Sequence, residues 1–375
     1  MYRTGYANLP LHGGKAPSWL TGRMQRLAKE ICTIMIDEYG ADLFLERVSD
    51  PYWFQALGCV LGYDWHSSGV TTVVTGVLKM VLSPTDHGIA LCGGKGKTSR
   101  KTPSEIEVAA GKFDFSEDKL RSLKYASRMA AKVDNAAIQA GYQLYHHAFL
   151  VTEVGKWAVI QQGMSDEARS ARRYHWLSSA TTNFVVEPHN AIVGDTKHPA
   201  VLNMTAKSSE GTRKASLDLA QEPTNKLKRL AHSITPAAQK TQRSLQSWLP
   251  EAQVSVPVAM LDMPRNINWD ALSVAYDTRP GNYEELLSLR GVGPATVRGL
   301  ALIAELVYGE KPSWDDPVKY SFAYGGKDGV PYPVNRKSMD ESIQILKDAV
   351  QSARLGDKEK INALQGLRRF VPANA

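Results

Sequence analysis

The chain has 375 residues, 43% hydrophobic and 22% charged, a globular balance with room for two or three domains. Its net charge of +7 leans toward polyanionic partners, although solubility alone would also account for it. Cys32, Cys59 and Cys92 stand far apart with no C-x-x-C pair, which excludes a disulfide framework or a zinc ribbon and suggests a reducing, cytoplasmic setting. No apolar run is long enough to span a membrane, and the opening residues lack a signal-peptide core.

Residues 1–16 are punctuated by Gly and Pro and read as loop. Over Pro17–Tyr39 the residues Trp19, Leu20, Met24, Leu27, Ile31, Ile34 and Met35 return to one helical face, and Gly40 is expected to end the helix. Asp50-Pro51 is the cap and first position of an aromatic helix. Ser67 or Ser68 could cap a further helix over Val70–Leu82. His87–Cys92 reads as a short buried strand leading into a mobile basic loop at Gly93–Lys101, and Thr102-Pro103-Ser104-Glu105 as a capping box. Ser116–Gly141 is largely helical. His147–Glu153 and Lys156–Gln162 alternate around Val154-Gly155, the pattern of a β-hairpin. Asn183–Glu187 and Ala191–Val193 are further strand candidates. Residues 202–248 read as helices with a basic exposed face, Pro250–Pro264 as a linker, and Asn268 onward as helical except for a loop at Ala323–Val334. The expected fold class is α+β, with a mixed α/β domain over 1–200 and an all-helical domain over 201–375.

Leu286–Leu300, LLSLRGVGPATVRGL, is written like a helix-hairpin-helix spanning 283–308. Gly291 and Gly293 permit a turn that a Cβ would obstruct, with Val292 between them, and Pro294 occupies the first helical position ahead of Ala295. Bare amides at such a turn can hold one DNA phosphate regardless of sequence. The second helix, Pro294–Tyr308, stops at Gly309 and is followed by Asp315-Asp316-Pro317. This stretch resembles the endonuclease III and adenine glycosylase superfamily, and the resemblance implies that Asp316 is the catalytic acid. An N-cap is the plainer reading of the same residues. The lyase lysine of bifunctional members would fall at Ala295 or Thr296 and is absent.

Lys95, Lys97, Arg100 and Lys101 could contact backbone phosphates. Gly96-Lys97-Thr98 does not complete a nucleotide-binding loop, because Leu91 stands where its first glycine belongs. The first 200 residues also hold a dense polar and aromatic vocabulary with three readings. One is a metal-dependent nuclease using Asp64, His66, Asp134, His147 and His189, although no H-x-H, H-x-x-x-H or D-x-D spacing supports it. The second is a flipped-base pocket of Trp65, His66, Tyr145, His147, Gln161, Gln162, His175 and His189, supplying stacking faces and hydrogen bonds to a base edge. The third is ordinary core packing. Asp64 and Asp134 are alternative catalytic acids, and Lys132, beside an acid, is the candidate for a Schiff base.

Blocks along nearly the whole chain resemble a family of archaea and bacteria long labelled a domain of unknown function. They are Arg3-Thr4-Gly5 with Leu9–His12 and Lys15–Leu20, Phe54–Gly69, Gly93–Pro103, Gly141–His147 and Arg172–Trp176. The resemblance implies DNA-damage processing, with glycosylase activity toward an oxidised pyrimidine such as 5-hydroxymethyluracil. The combined expectation is a cofactor-free DNA glycosylase. A metal-dependent endonuclease and a non-catalytic DNA-binding module are the alternatives.

Overall fold

A computed structural model describes residues 18–62, 69–167, 170–194, 196–234, 262–319 and 336–370. The opening block, Asp64, Trp65, His66, the basic stretch beyond residue 234 and the Ala323–Val334 loop lie outside the described residues.

Helix α1 runs over Ser18–Ser49 as two helical stretches that meet at Gly40, whose non-helical backbone (φ 82°, ψ 160°) ends the first as expected while the second follows at once. Asp50 then accepts from the backbone N–H groups of Tyr52 and Trp53 at 2.9 and 2.7 Å, which starts α2 (Pro51–Val60) as the sequence predicts. Helices α3 (Gly69–Val81) and α4 (Pro84–His87) lead into β1 (Ile89–Lys95). The basic segment after β1 is a 3-10 turn over Gly96–Lys101 that runs directly into α5 (Thr102–Lys112). It is therefore not the free loop expected, and the capping box does not form. Thr102 is already helical and its hydroxyl donates to Ser99 O at 2.7 Å. Glu105 turns instead to Gly93 N at 2.6 Å and Lys79 Nζ at 2.5 Å.

Ser116 caps α6 (Glu117–Ala136), which is followed by β2 (Ile138–Gln139), β3 (Gln143–Thr152), β4 (Trp157–Ser165), β5 (Ser170–Leu177), β6 (Ala191–Val193) and β7 (Leu202–Asn203). One antiparallel sheet has the order β1-β3-β4-β5-β6, and β2 pairs with β7 in a second. The fold is α+β, with the β3–β4 hairpin where the alternation places it. Asn183–Glu187 is not a strand. Asn183 Oδ1 accepts from Val185 N at 2.7 Å, and Glu187 sits at φ 43°, so side-chain turn chemistry breaks the extension.

Helices α7 (Glu210–Ala220), α8 (Thr224–Ser233), α9 (Trp269–Thr278), α10 (Tyr283–Ser288) and α11 (Pro294–Tyr308) follow. Residues 309–319 are not helical, contrary to the expectation, and bond instead to β7 and the residue before it: Val201 N to Trp314 O at 2.8 Å and Asn203 N to Ser313 O at 2.9 Å, with an antiparallel bridge between Asn203 and Ser313. The chain ends its described course in α12 (Arg336–Ser352) and α13 (Asp357–Phe370).

Two apolar clusters lie on the two faces of the large sheet. One joins α5 and α6 to α7–α11 through residues such as Phe149, Trp176, Leu202 and Leu300. The other joins α1–α3 to α12 and α13 through Phe54, Leu57, Leu150, Leu346 and Leu367. Both clusters draw on residues before and after position 200. Among the described residues, no helix is long and apolar enough to cross a membrane.

Candidate functional site

The buried face of α6 carries Ser127 and Asp134 toward the sheet, where strand register sets His147 opposite Gln161 and Gln161 opposite Tyr174. Asp134 Oδ2 accepts from Gln161 Nε2 at 2.5 Å and from Trp176 Nε1 at 3.0 Å, while Oδ1 takes a short hydrogen bond from His189 Nε2. A carboxylate only accepts, so the rest of the chain is directed. Gln161 uses its amide N–H groups on Asp134 and its Oε1 to accept from His147 Nδ1 at 2.8 Å, leaving His147 Nε2 to accept from the Ser127 hydroxyl at 2.8 Å. Burial holds the His147 imidazole below its usual pKa and therefore neutral, as this chain requires.

His189 is the end of this chain nearest to solvent. Its ring lies 4.5 Å from that of Trp176 and lines a cleft of about 150 Å³ with Glu187, Asn190, Asn203, Thr205 and Lys319. Glu187 is one of the few non-glycine residues in the left-handed region, and Thr205 O holds it there by accepting from its N–H at 2.8 Å. Such a conformation costs about 1–3 kcal/mol and is typical of functional walls. With Nε2–H engaged by Asp134, His189 keeps Nδ1 as the lone-pair nitrogen. A buried carboxylate that fixes the orientation of an imidazole is a geometry in which the ring can accept a proton from a group in the cleft.

The sheet divides the other expected pocket residues, because alternate residues of a strand face opposite ways, and an irregularity in β3 between Leu144 and His146 breaks that alternation at Tyr145. His147, Gln161 and His189 converge on Asp134. Gln162, Tyr145 and His175 belong to the opposite face and do not join them. There Gln162 Nε2 donates to Tyr145 Oη at 2.6 Å, and His175 Nε2 accepts from Arg173 Nε at 2.8 Å. His146, beside His147, meets Thr75 at 3.0 Å on that same far side.

Asp316 is not placed as a catalytic acid. Its side chain is fully buried and accepts from Arg172 Nη2 at 2.7 Å, His198 N at 2.8 Å and Val318 N at 3.1 Å. Those donors anchor the 309–319 segment to β5, and Pro317 carries it to the cleft wall. Neither does Asp315-Asp316-Pro317 cap a helix, since the described residues after it, 317–319, are not helical. Lys132 points away from Asp134. Its Nζ donates to Leu289 O at 2.6 Å and Val292 O at 2.7 Å, and burial first, then Arg128, pulls its pKa down to about 8. The neighbouring acid has no part in that shift.

The 286–300 region is two helices, α10 and α11, joined by a five-residue turn. Gly291 adopts φ 89° and Pro294 opens α11 as expected, and Gly309 (φ 75°) closes it, but Gly293 departs from the expectation: its φ is −122° and a Cβ there would meet nothing within 4 Å, so the turn itself needs glycine only at 291. Asn268 caps α9 through Ala271 N at 3.0 Å and packs its Nδ2 against Gly291. Gln139 Nε2 donates to Pro294 O at 2.9 Å. Because Gln139 pairs with Leu202 and Ile138 with Asn203, the small sheet links the turn to the cleft wall. Lys95, Lys97, Arg100 and Lys101 are exposed on the 3-10 turn and the strand end before it.

Asn203, Thr205, Lys319 and Ser127 were not singled out from the sequence, and Glu187 was read only as the end of a strand. They have ordinary surface or helix contexts, and only the folded register brings them to Asp134 and His189. Among the described residues, no group of three or more His, Cys, Asp or Glu side chains is arranged to hold a metal ion.

No curated protein and no solved structure matches the chain. Residues 5–334 match the family model described as "Protein of unknown function (DUF763)", and the chain belongs to that family.

Proposed function

We propose that the protein is a DNA glycosylase in which the Asp134–His189 pair activates water and the 289–295 turn holds the DNA backbone. The pairing of His189, which lines the cleft, with the buried Asp134 carboxylate carries this reading. His189 Nδ1 takes a proton from water, the oxygen attacks the sugar carbon, and the base departs with the N-glycosidic electron pair. Asp134 stabilises the imidazolium so formed. A cleft of about 150 Å³ is below the usual range for drug-sized ligands, roughly 300–1,000 Å³, and suits a one-ring base. The resemblance of the sequence blocks points to a modified pyrimidine, 5-hydroxymethyluracil or uracil, as that base. The resemblance to endonuclease III-like enzymes supports the DNA-binding half of the proposal, as do the glycine turn and the exposed lysines and arginine of residues 95–101. Three buried free cysteines fit a cytoplasmic setting.

The test uses oligonucleotides carrying uracil, 5-hydroxymethyluracil, 8-oxoguanine or an abasic site, incubated in chelator with and without hot alkali. Strand breaks at a modified pyrimidine that need alkali are expected. Breaks that occur only without chelator would make the protein a metal-dependent endonuclease, and DNA binding with no product would make it a binding module.

A further inference from the structure

Two carbonyl groups of one tight turn, Leu289 O and Val292 O, converge on a single point. Convergent carbonyl oxygens are the donor set of a bare cation site, where they replace a hydration shell. Here the point is filled by the Lys132 ammonium, delivered from α6 on the other side of the turn. We propose that Lys132 is a tethered cation that locks the 289–293 turn in the form that grips a DNA phosphate, taking the place of a free monovalent metal ion. The inference rests on the DNA-binding reading for its function, but the cation site itself does not.

Three features of the geometry support it. Gly291, at φ 89°, gives the turn a path that glycine adopts freely, and the Lys132 ammonium joins its two sides by holding Leu289 O and Val292 O together. An ammonium has three donors, and two are engaged by the turn, leaving the third for an oxygen arriving from outside. Arg128, one helical turn earlier on α6, is exposed and extends the positive charge along the same face. Lys132 is thus a positioning residue for the turn and a charge beside the amides that would meet phosphate.

The prediction concerns what happens when the tether is cut. Lys132→Ala leaves the two carbonyls facing an empty space that a potassium ion can enter. In choline chloride, Lys132→Ala is expected to bind an oligonucleotide duplex about tenfold more weakly than wild type. Potassium chloride at equal ionic strength is expected to restore most of that loss, while wild type responds alike to the two salts. Lys132→Met fills the space with an uncharged chain and is expected to lose affinity without rescue. Thermal melting of the DNA-free proteins gives a second readout. Potassium is expected to raise the Tm of Lys132→Ala selectively, leaving wild type and Lys132→Met unchanged relative to choline. Equal affinity of wild type and Lys132→Ala in choline, or melting and binding that ignore the cation, would overturn the proposal. If wild type binds no DNA at all, the functional reading fails, and the melting experiment alone decides whether the turn is a cation site. Should Lys132→Ala not fold in choline, folding recovered only in potassium supports the site, and failure in both salts overturns it.

Discussion

Asp134 accepts hydrogen bonds from three different elements: β4 through Gln161, β5 through Trp176, and the segment before β6 through His189. Replacing it with Asn keeps the shape but turns one oxygen into a donor, which must then face another donor. Asp134→Asn is therefore expected to lower base release by about 10²–10⁴-fold, and also to lower stability by about 1–3 kcal/mol for the unsatisfied group. His189→Gln should lose activity on the same scale with a smaller stability loss, because His189 stands at the edge of the cluster. Asp316→Asn should show the reverse pattern. It strips the buried Arg172 of its ion-pair partner, with an expected stability loss of about 3–5 kcal/mol and unchanged activity per folded molecule. Urea melts paired with single-turnover base release separate these outcomes. Activity lost in Asp316→Asn but kept in His189→Gln would return the chemistry to Asp316.

The two glycines of the turn between α10 and α11 make an internally controlled pair. A Cβ at Gly291 would lie 2.7 Å from Asn268 Nδ2 and 3.1 Å from Ala271 Cβ, on a backbone at φ +89°. A Cβ at Gly293, where the backbone is extended, meets nothing within 4 Å. Gly291→Ala is expected to cost about 1–3 kcal/mol, and Gly293→Ala close to nothing. If the turn approaches a phosphate, both variants bind DNA more weakly, and Gly293→Ala does so without loss of stability. Full DNA affinity in both would remove the turn from the interface. Turns and caps of this kind were legible in the sequence, because their chemistry is local: Asp50, Gly291 and Gly309 each act within a few residues. Strand β5 was not legible. Arg172 and Arg173 are both fully buried on opposite faces, so the strand shows no alternation of polar and apolar residues. The site was half legible for a related reason. His147, Gln161, His189 and Asp134 could be named as candidates, but whether His175 joined them depended on strand register, which composition does not encode.

Across the molecule, the large sheet lies between two helical layers, and that placement buries the histidines of β3 and β5 on both of its faces. Burial first of all holds His146, His147 and His175 below the usual histidine pKa, His146 down to about 3. In the unfolded chain each titrates near 6.5, so below that pH the unfolded state binds more protons than the folded one. The stability contributed by these groups is complete above about pH 6.5 and is lost as the pH falls toward the folded values. A histidine that stays unprotonated in the fold gives a slope of up to about 1.4 kcal/mol per pH unit, and His146, held down to about 3, keeps that slope throughout this fall, with His147 and His175 adding in the same direction. Unfolding midpoints in urea, measured between pH 7.5 and 4.5, are expected to fall steeply below pH 6.5. His146→Gln, which keeps an amide for the Thr75 hydroxyl, should flatten that curve by about one proton's slope. A midpoint indifferent to pH over this range would mean that the histidines carry their protons inside the fold. The directed hydrogen-bond chain from Ser127 to Asp134, which needs His147 neutral, would then be wrong, and with it the reason that Asp134 is free to orient His189.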